Sequence, residues 1–190
     1  MSDNTPTPHP CARCATMQKT CCQRAEILVT DGDLGRIAKH TGHRDFWHRR
    51  RPTDPAYFER DPDDPNWLRL AIAPDGTRQV LRRRPGGDCT FLGAKGCVLP
   101  TDVRPLVCRL YPFVFNEKRL LGEDPDYCPV KRLAPDGKGM LKVLDMREAD
   151  GERWRRQLYE ELWSDLEAAD AAGTAEPTAT IRTADRPRPC

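Results

Sequence analysis

The chain has 190 residues, of which 38% are hydrophobic and 32% charged, with a formal net charge of +2 and a mean hydropathy of −0.72. That composition suits one compact domain with a modest core and trailing segments, and it excludes a membrane span, which needs roughly 18 consecutive apolar residues. The N-terminus, Met1-Ser2-Asp3-Asn4-Thr5-Pro6, has neither a basic start nor an apolar run, which predicts no secretory leader and a cytoplasmic location.

Residues 1–10 read as a flexible lead into the first of two cysteine groups, Cys11-x2-Cys14-x6-Cys21-Cys22. A short β-like run, Glu26-Ile27-Leu28-Val29-Thr30, follows. Thr30 with Asp33 three residues on has the form of a capping box. Leu34, Ile37 and Ala38 supply an apolar stripe, and Gly42 is a stop signal, so the pattern predicts a helix over 31–42. Pro52, Pro55, Pro62 and Pro65 break any periodicity in 43–65, which reads as loop.

Leu68–Ile72 and Gln79–Arg82 flank an Asp75-Gly76 dipeptide, and the pattern predicts a β-hairpin. A tighter hairpin is expected from Cys89–Leu92 and Cys97–Leu99 across Gly93-Ala94-Lys95-Gly96, bringing Cys89 and Cys97 together. Tyr111–Phe115 reads as a further strand. Trp154, Leu158, Leu162 and Leu166 recur every fourth residue, with Tyr159 and Trp163 flanking, and predict an amphipathic helix over 150–170 packed on the protein's own core. Arg153, Arg156, Glu160 and Glu167 fall on its opposite face. The Ala-, Thr- and Pro-rich residues 171–190 carry no periodicity and read as a disordered tail.

The chemistry lies in the cysteines. There are nine, too many and too clustered for a cytosolic chain that uses cysteine as a small hydrophobe. A reducing compartment disfavours disulfides, so thiolates held by metal are the better reading, and metal binding would also compensate for a thin core. Cys11-x2-Cys14 lets two sulfurs reach one ion across a tight turn, as in zinc ribbons and many iron–sulfur sites. The adjacent Cys21 and Cys22 point in different directions and can serve different metals. About 66 residues later comes the second group, Cys89, Cys97, Cys108 and Cys128, with Arg104 and Arg109 bracketing Cys108 as a cationic surround for thiolate charge. Cys190 ends the chain and reads as a free thiol.

Other constellations are weaker. His40-x2-His43 could offer a pair of ligands, but eight thiolates already suffice for two tetrahedral sites. The runs His48-Arg49-Arg50-Arg51 and Arg82-Arg83-Arg84 lack interleaved aromatics and read as solvated faces, so a nucleic-acid partner is not expected. No Gly-x-Gly-x-x-Gly, P-loop, Gly-x-Ser-x-Gly or His-Glu-x-x-His occurs, leaving the common nucleotide, hydrolase and zinc-protease readings without an anchor.

The Cys-x-x-Cys…Cys-Cys start, Ile27-Leu28-Val29-Thr30-x-x-Asp33, Cys89-x-Phe91-Leu92…Gly96-Cys97 and Arg104-Pro105-x-x-Cys108-Arg109-x-Tyr111-Pro112-Phe113 together resemble the YkgJ-type cysteine-cluster family of bacteria, whose shared unit is a zinc- or iron-chelating domain. The resemblance covers about residues 11–130, although the gap between Cys14 and Cys21 exceeds the family's usual two residues. It implies as metal ligands Cys11, Cys14, Cys21, Cys22, Cys89, Cys97, Cys108 and Cys128. A related cysteine region occurs in a flagellin lysine N-methylase, so protein modification is one implied activity.

The expectation is therefore a small metal-stapled α+β domain over 11–130, with short hairpins, a few helices and an extension over 131–170 carrying the long amphipathic helix. Its cofactor is an iron–sulfur cluster or zinc, iron slightly favoured. Its role is redox chemistry or modification of a protein substrate; the other reading is a non-catalytic zinc-stapled module that binds a protein partner.

Overall fold

The computed structural model describes residues 21–94, 96–124, 139–144 and 146–172. In chain order it has α1 (Cys21–Arg24), α2 (Asp31–Thr41), β1 (Trp47–Arg50), a 3-10 turn (Pro55–Phe58), α3 (Trp67–Ala71), β2 (Arg78–Leu81), β3 (Leu92–Gly93) and β4 (Gly96–Cys97). These are followed by α4 (Leu106–Leu110), β5 (Phe113–Phe115), β6 (Leu120–Glu123), α5 (Met140–Leu144) and α6 (Glu148–Ala171). Three two-stranded antiparallel sheets, β1–β2, β3–β4 and β5–β6, accompany the helices, so the α+β class holds. Among the described residues no helix is long and apolar enough to cross a membrane.

α2 forms as its sequence signals require. Thr30 Oγ1 accepts the Asp33 N–H at 3.0 Å, the Asp33 carboxylate accepts the Thr30 N–H at 3.3 Å, and Gly42 closes the helix in the left-handed region at φ 77°. α6 runs 24 residues and is the hub on which α2, α3, α4 and β6 pack. It buries Leu158, Tyr159 and Leu162, while Arg153, Arg156, Glu160 and Glu167 face solvent as the spacing predicts. Tyr159, Trp67 of α3 and Phe115 of β5 form an aromatic cluster with ring centroids 6.0–6.4 Å apart. Gly151 belongs where it is because a Cβ there would lie 2.5 Å from Phe113 Cε2. The same core continues through Leu34, Ile37, Phe46, Leu106 and Leu110, and includes Cys89.

Several local expectations are corrected. The 68–82 hairpin is not formed: its first half is helix α3, burying Trp67, Leu70 and Ala71 at helical spacing, and five residues are too few for periodicity to separate the two states. The Asp75-Gly76 turn is real, with Gly76 at φ 77° and the Ala73 N–H donating to the Thr77 carbonyl at 2.7 Å, but it joins a helix to a strand. β2 pairs instead with β1, Trp47↔Leu81 through Arg50↔Arg78, inside the segment read as loop. The arginines of β1 hid a strand in which only Arg49 is exposed and the other three residues are half-buried.

The 26–30 run lies on the other side of β2 as a single bridge, Leu28↔Val80, held by the Leu81 N–H to the Ile27 carbonyl at 2.9 Å and the Val29 N–H to the Gln79 carbonyl at 3.1 Å. The second hairpin exists in miniature as β3–β4, with Cys89 outside it, bridged to Arg83. The Tyr111–Phe115 strand is shorter, as β5, and α4 had no clear signal in five residues. The readings of residues 1–10 and of the tail beyond 172 lie outside the described residues.

Candidate metal centre

Cys21 and Cys22 open α1, a single helical turn. The Cys22 carbonyl accepts the backbone N–H of Cys89 at 2.7 Å, so the two cysteine groups, with 66 residues between them along the chain, touch directly. Cys89 is buried, and its sulfur takes a backbone N–H from Phe91. Cys97 lies half-buried on β4, opposite Leu92. Cys108 is the third residue of α4, its N–H donating to the Pro105 carbonyl at 2.9 Å. Cys22, Cys89, Cys97 and Cys108 are in no disulfide among the described residues. Cys11, Cys14, Cys128 and Cys190 lie outside the described residues.

Electrostatics tie the four together. Burial pushes the Cys108 thiol well above its ordinary range, and the charges of Cys22, Cys89, Cys97 and Asp33 push it further. Burial also raises Cys89, with Cys97 adding to it, while the Phe91 N–H and the Arg83 and Arg84 charges pull the other way. In the absence of a cation the raised Cys89 and Cys108 thiols keep their protons at neutral pH, and any metal that took them as ligands would have to displace those protons. Among the described residues no three of His, Cys, Asp or Glu stand at ligand-to-ligand spacing. The thiols therefore share one electrostatic environment without the four closing a coordination sphere by themselves. Four buried or half-buried sulfurs converging from α1, β4, α4 and one loop are a donor set that suits zinc or an iron–sulfur cluster.

The two arginines that bracket Cys108 are tied to backbone carbonyls. Arg104 Nε donates to the Leu99 carbonyl at 2.9 Å, and buried Arg109 donates to the carbonyls of Arg104 at 2.7 Å and Asp102 at 2.6 Å. Both fasten the loop ahead of α4. The second basic run is likewise structural: Arg83 holds the Ala25 and Gly87 carbonyls, Arg84 holds those of Leu92 and Cys89, and Arg82 Nε reaches the Trp47 carbonyl at 2.9 Å. His43 pairs with exposed Asp45, and His40 is exposed.

A buried polar network beside the thiols was not singled out from the sequence. Asp33 is 0% exposed, and its carboxylate accepts the Leu106 N–H at 3.1 Å and Arg36 Nη2 at 2.6 Å. Burial raises its pKa to about 6 against the opposing pull of Arg36. Burial would also lift the Glu161 carboxyl, but hydrogen bonds from Arg36, Thr30 and Gln157 hold it below its ordinary range. The capping-box spacing gave a signal for Asp33, but only for its local role. Glu161 is one of several acids on α6 and carried none.

A cavity of about 70 Å³ lies away from the cysteines, between α3, β2 and α6, lined by Leu28, Leu70, Ile72, Gln79, Leu162 and Asp165 among others. It has room for a few waters rather than a substrate.

Residues 10–129 match the family model described as "CxxCxxCC: Putative zinc- or iron-chelating domain". The chain belongs to this family, so it is a zinc- or iron-chelating cysteine-cluster protein. No curated protein and no solved structure matches it.

Proposed function

Starting from that membership, we propose that Cys11, Cys14, Cys21, Cys22, Cys89, Cys97, Cys108 and Cys128 ligate metal together as thiolates, in an iron–sulfur cluster, a zinc site or both, with iron favoured. The protein then acts in the cytoplasm in redox chemistry or in modification of a protein substrate. The observation that carries this reading is the direct Cys22–Cys89 backbone contact, beside a Cys108 thiol that feels Cys22, Cys89 and Cys97 at once. Sulfur-only donors with no histidine among them suit iron–sulfur chemistry. A cluster short of one protein ligand would leave a position for substrate, whereas a closed four-thiolate zinc site would not.

One observation favours a second reading, a zinc-stapled module that binds a protein partner. The elements carrying the described cysteines are two to five residues long, which is where a structural metal contributes most. The test is a visible spectrum with metal analysis of protein purified without oxygen. A brown sample that bleaches on reduction supports the cluster, and a colourless one holding zinc supports the module. Metal-free folded protein would overturn both. In either case Cys108→Ser is expected to lower metal content, and an unchanged content would remove Cys108 from the ligand set.

A further inference from the structure

On the thiolate–metal reading above, we propose that Glu161, on α6 and outside the matched segment, is a positioning residue that holds Cys108 in the metal centre. Its carboxylate receives Arg36 Nη1 at 2.5 Å and Nη2 at 2.9 Å, Gln157 Nε2 at 2.8 Å and the Thr30 hydroxyl. Thr30 is the N-cap of α2, and the same Arg36 reaches on to Asp33 Oδ1 at 2.6 Å. Asp33 then accepts the N–H of Leu106, the first residue of α4. The position before Leu106 is Pro105, which has no side chain able to cap. A carboxylate 73 residues earlier in the chain fills that role, fixing the first turn of the helix whose third residue is Cys108.

Two features set Glu161 apart from an ordinary surface acid. The capping box is complete with Thr30 and Asp33 alone, so α2 does not need Glu161 in order to form. Yet Gly32, within the first turn of α2, leaves open the space that Glu161 occupies: a Cβ there would lie 2.4 Å from the Glu161 carboxyl. Glycine is a poor helix former, so at this position the chain gives up helix propensity and gains the close approach of a carboxylate from α6. Groups that orient a metal ligand through hydrogen bonds without touching the metal are a recognised determinant of metal affinity.

The test titrates reduced, metal-free, full-length protein with cobalt(II), reading thiolate-to-cobalt charge-transfer absorption, obtaining affinity by zinc competition and recording thermal melts in parallel. Glu161→Ala and Gly32→Ala are each expected to weaken affinity about 10-fold and to alter the charge-transfer band. Tyr159→Phe removes the bond from the same helix to buried Asp64 and is expected to keep affinity within about twofold, because it touches none of the network. Gly32→Ala deletes no polar group and carries the test if Glu161→Ala fails to fold. Wild-type affinity in Gly32→Ala and any folded Glu161→Ala, or an equal loss in Tyr159→Phe, would overturn the positioning role alone. A wild-type chain with no charge-transfer band would overturn the metal reading and this role with it.

Discussion

The cysteine-bearing side of the molecule and the α6 side are built from different kinds of element. α1 has four residues, β3 and β4 two each and α4 five. None could persist alone, since an isolated helix needs roughly 12–15 residues and a free two-stranded hairpin is marginal at best. α6 spans 24 residues and buries an apolar face against α2, α3, α4 and β6. Short elements keep their geometry only when something other than their own hydrogen bonds fixes them. On the α6 side that is apolar packing. On the cysteine side it is arginine side chains holding backbone carbonyls and, on the ligation proposed above, metal–thiolate bonds.

The largest expected effect comes from removing the metal. A chelator in reducing buffer should abolish amide protection across residues 89–108 while α6 stays protected, as read by hydrogen exchange. Uniform loss of protection would mean the two sides fold as one unit and would break the distinction. Leu158→Ala should act in the opposite sense. It truncates a 0%-exposed side chain of α6 and should cost about 3 kcal/mol of stability in denaturant melts while leaving metal stoichiometry unchanged. Metal loss in step with stability would merge the two regions. Gly151→Ala is smaller: its Cβ would overlap Phe113, 2.5 Å away, and should cost about 1–2 kcal/mol although alanine is the better helix former.

What the sequence made legible divides along the same line. α2 and α6 could be read in advance because their signals are local: Thr30, Asp33 and Gly42 for one, the four-residue spacing of Trp154 through Leu166 for the other. The contact of Cys22 with Cys89 had no local signal, because it is a backbone bond between residues 67 positions apart. β1 was missed because Trp47-His48-Arg49-Arg50 has no apolar alternation and is a strand only through its pairing with β2. Glu161 could not be found because its significance rests on Gly32, Thr30 and Arg36, more than 120 residues away, and no periodicity encodes that.

The smallest effect tests whether the acidic contacts between α6 and α2 add stability or only set geometry. Asp165 accepts the Asp31 N–H at 3.0 Å, and burial, with Asp31, Glu161 and Asp33 adding their charges, raises its pKa from 3.8 to about 6. Between those values the folded chain holds more protons than the unfolded chain. Its contribution is therefore fully present below pH 3.8 and is lost as the pH rises through 6. A shift of that size on a fully buried group would correspond to about 3 kcal/mol, but Asp165 is half-exposed, and solvent screening leaves about 1 kcal/mol. Asp165→Asn keeps an oxygen for the Asp31 N–H and removes the charge. It should raise the melting temperature at pH 7.5 by a few degrees and leave it unchanged at pH 3.5. Lower stability at pH 7.5 would show that the carboxylate itself binds α2, making Asp165 a partner of Glu161 in holding the helix whose Asp33 caps α4.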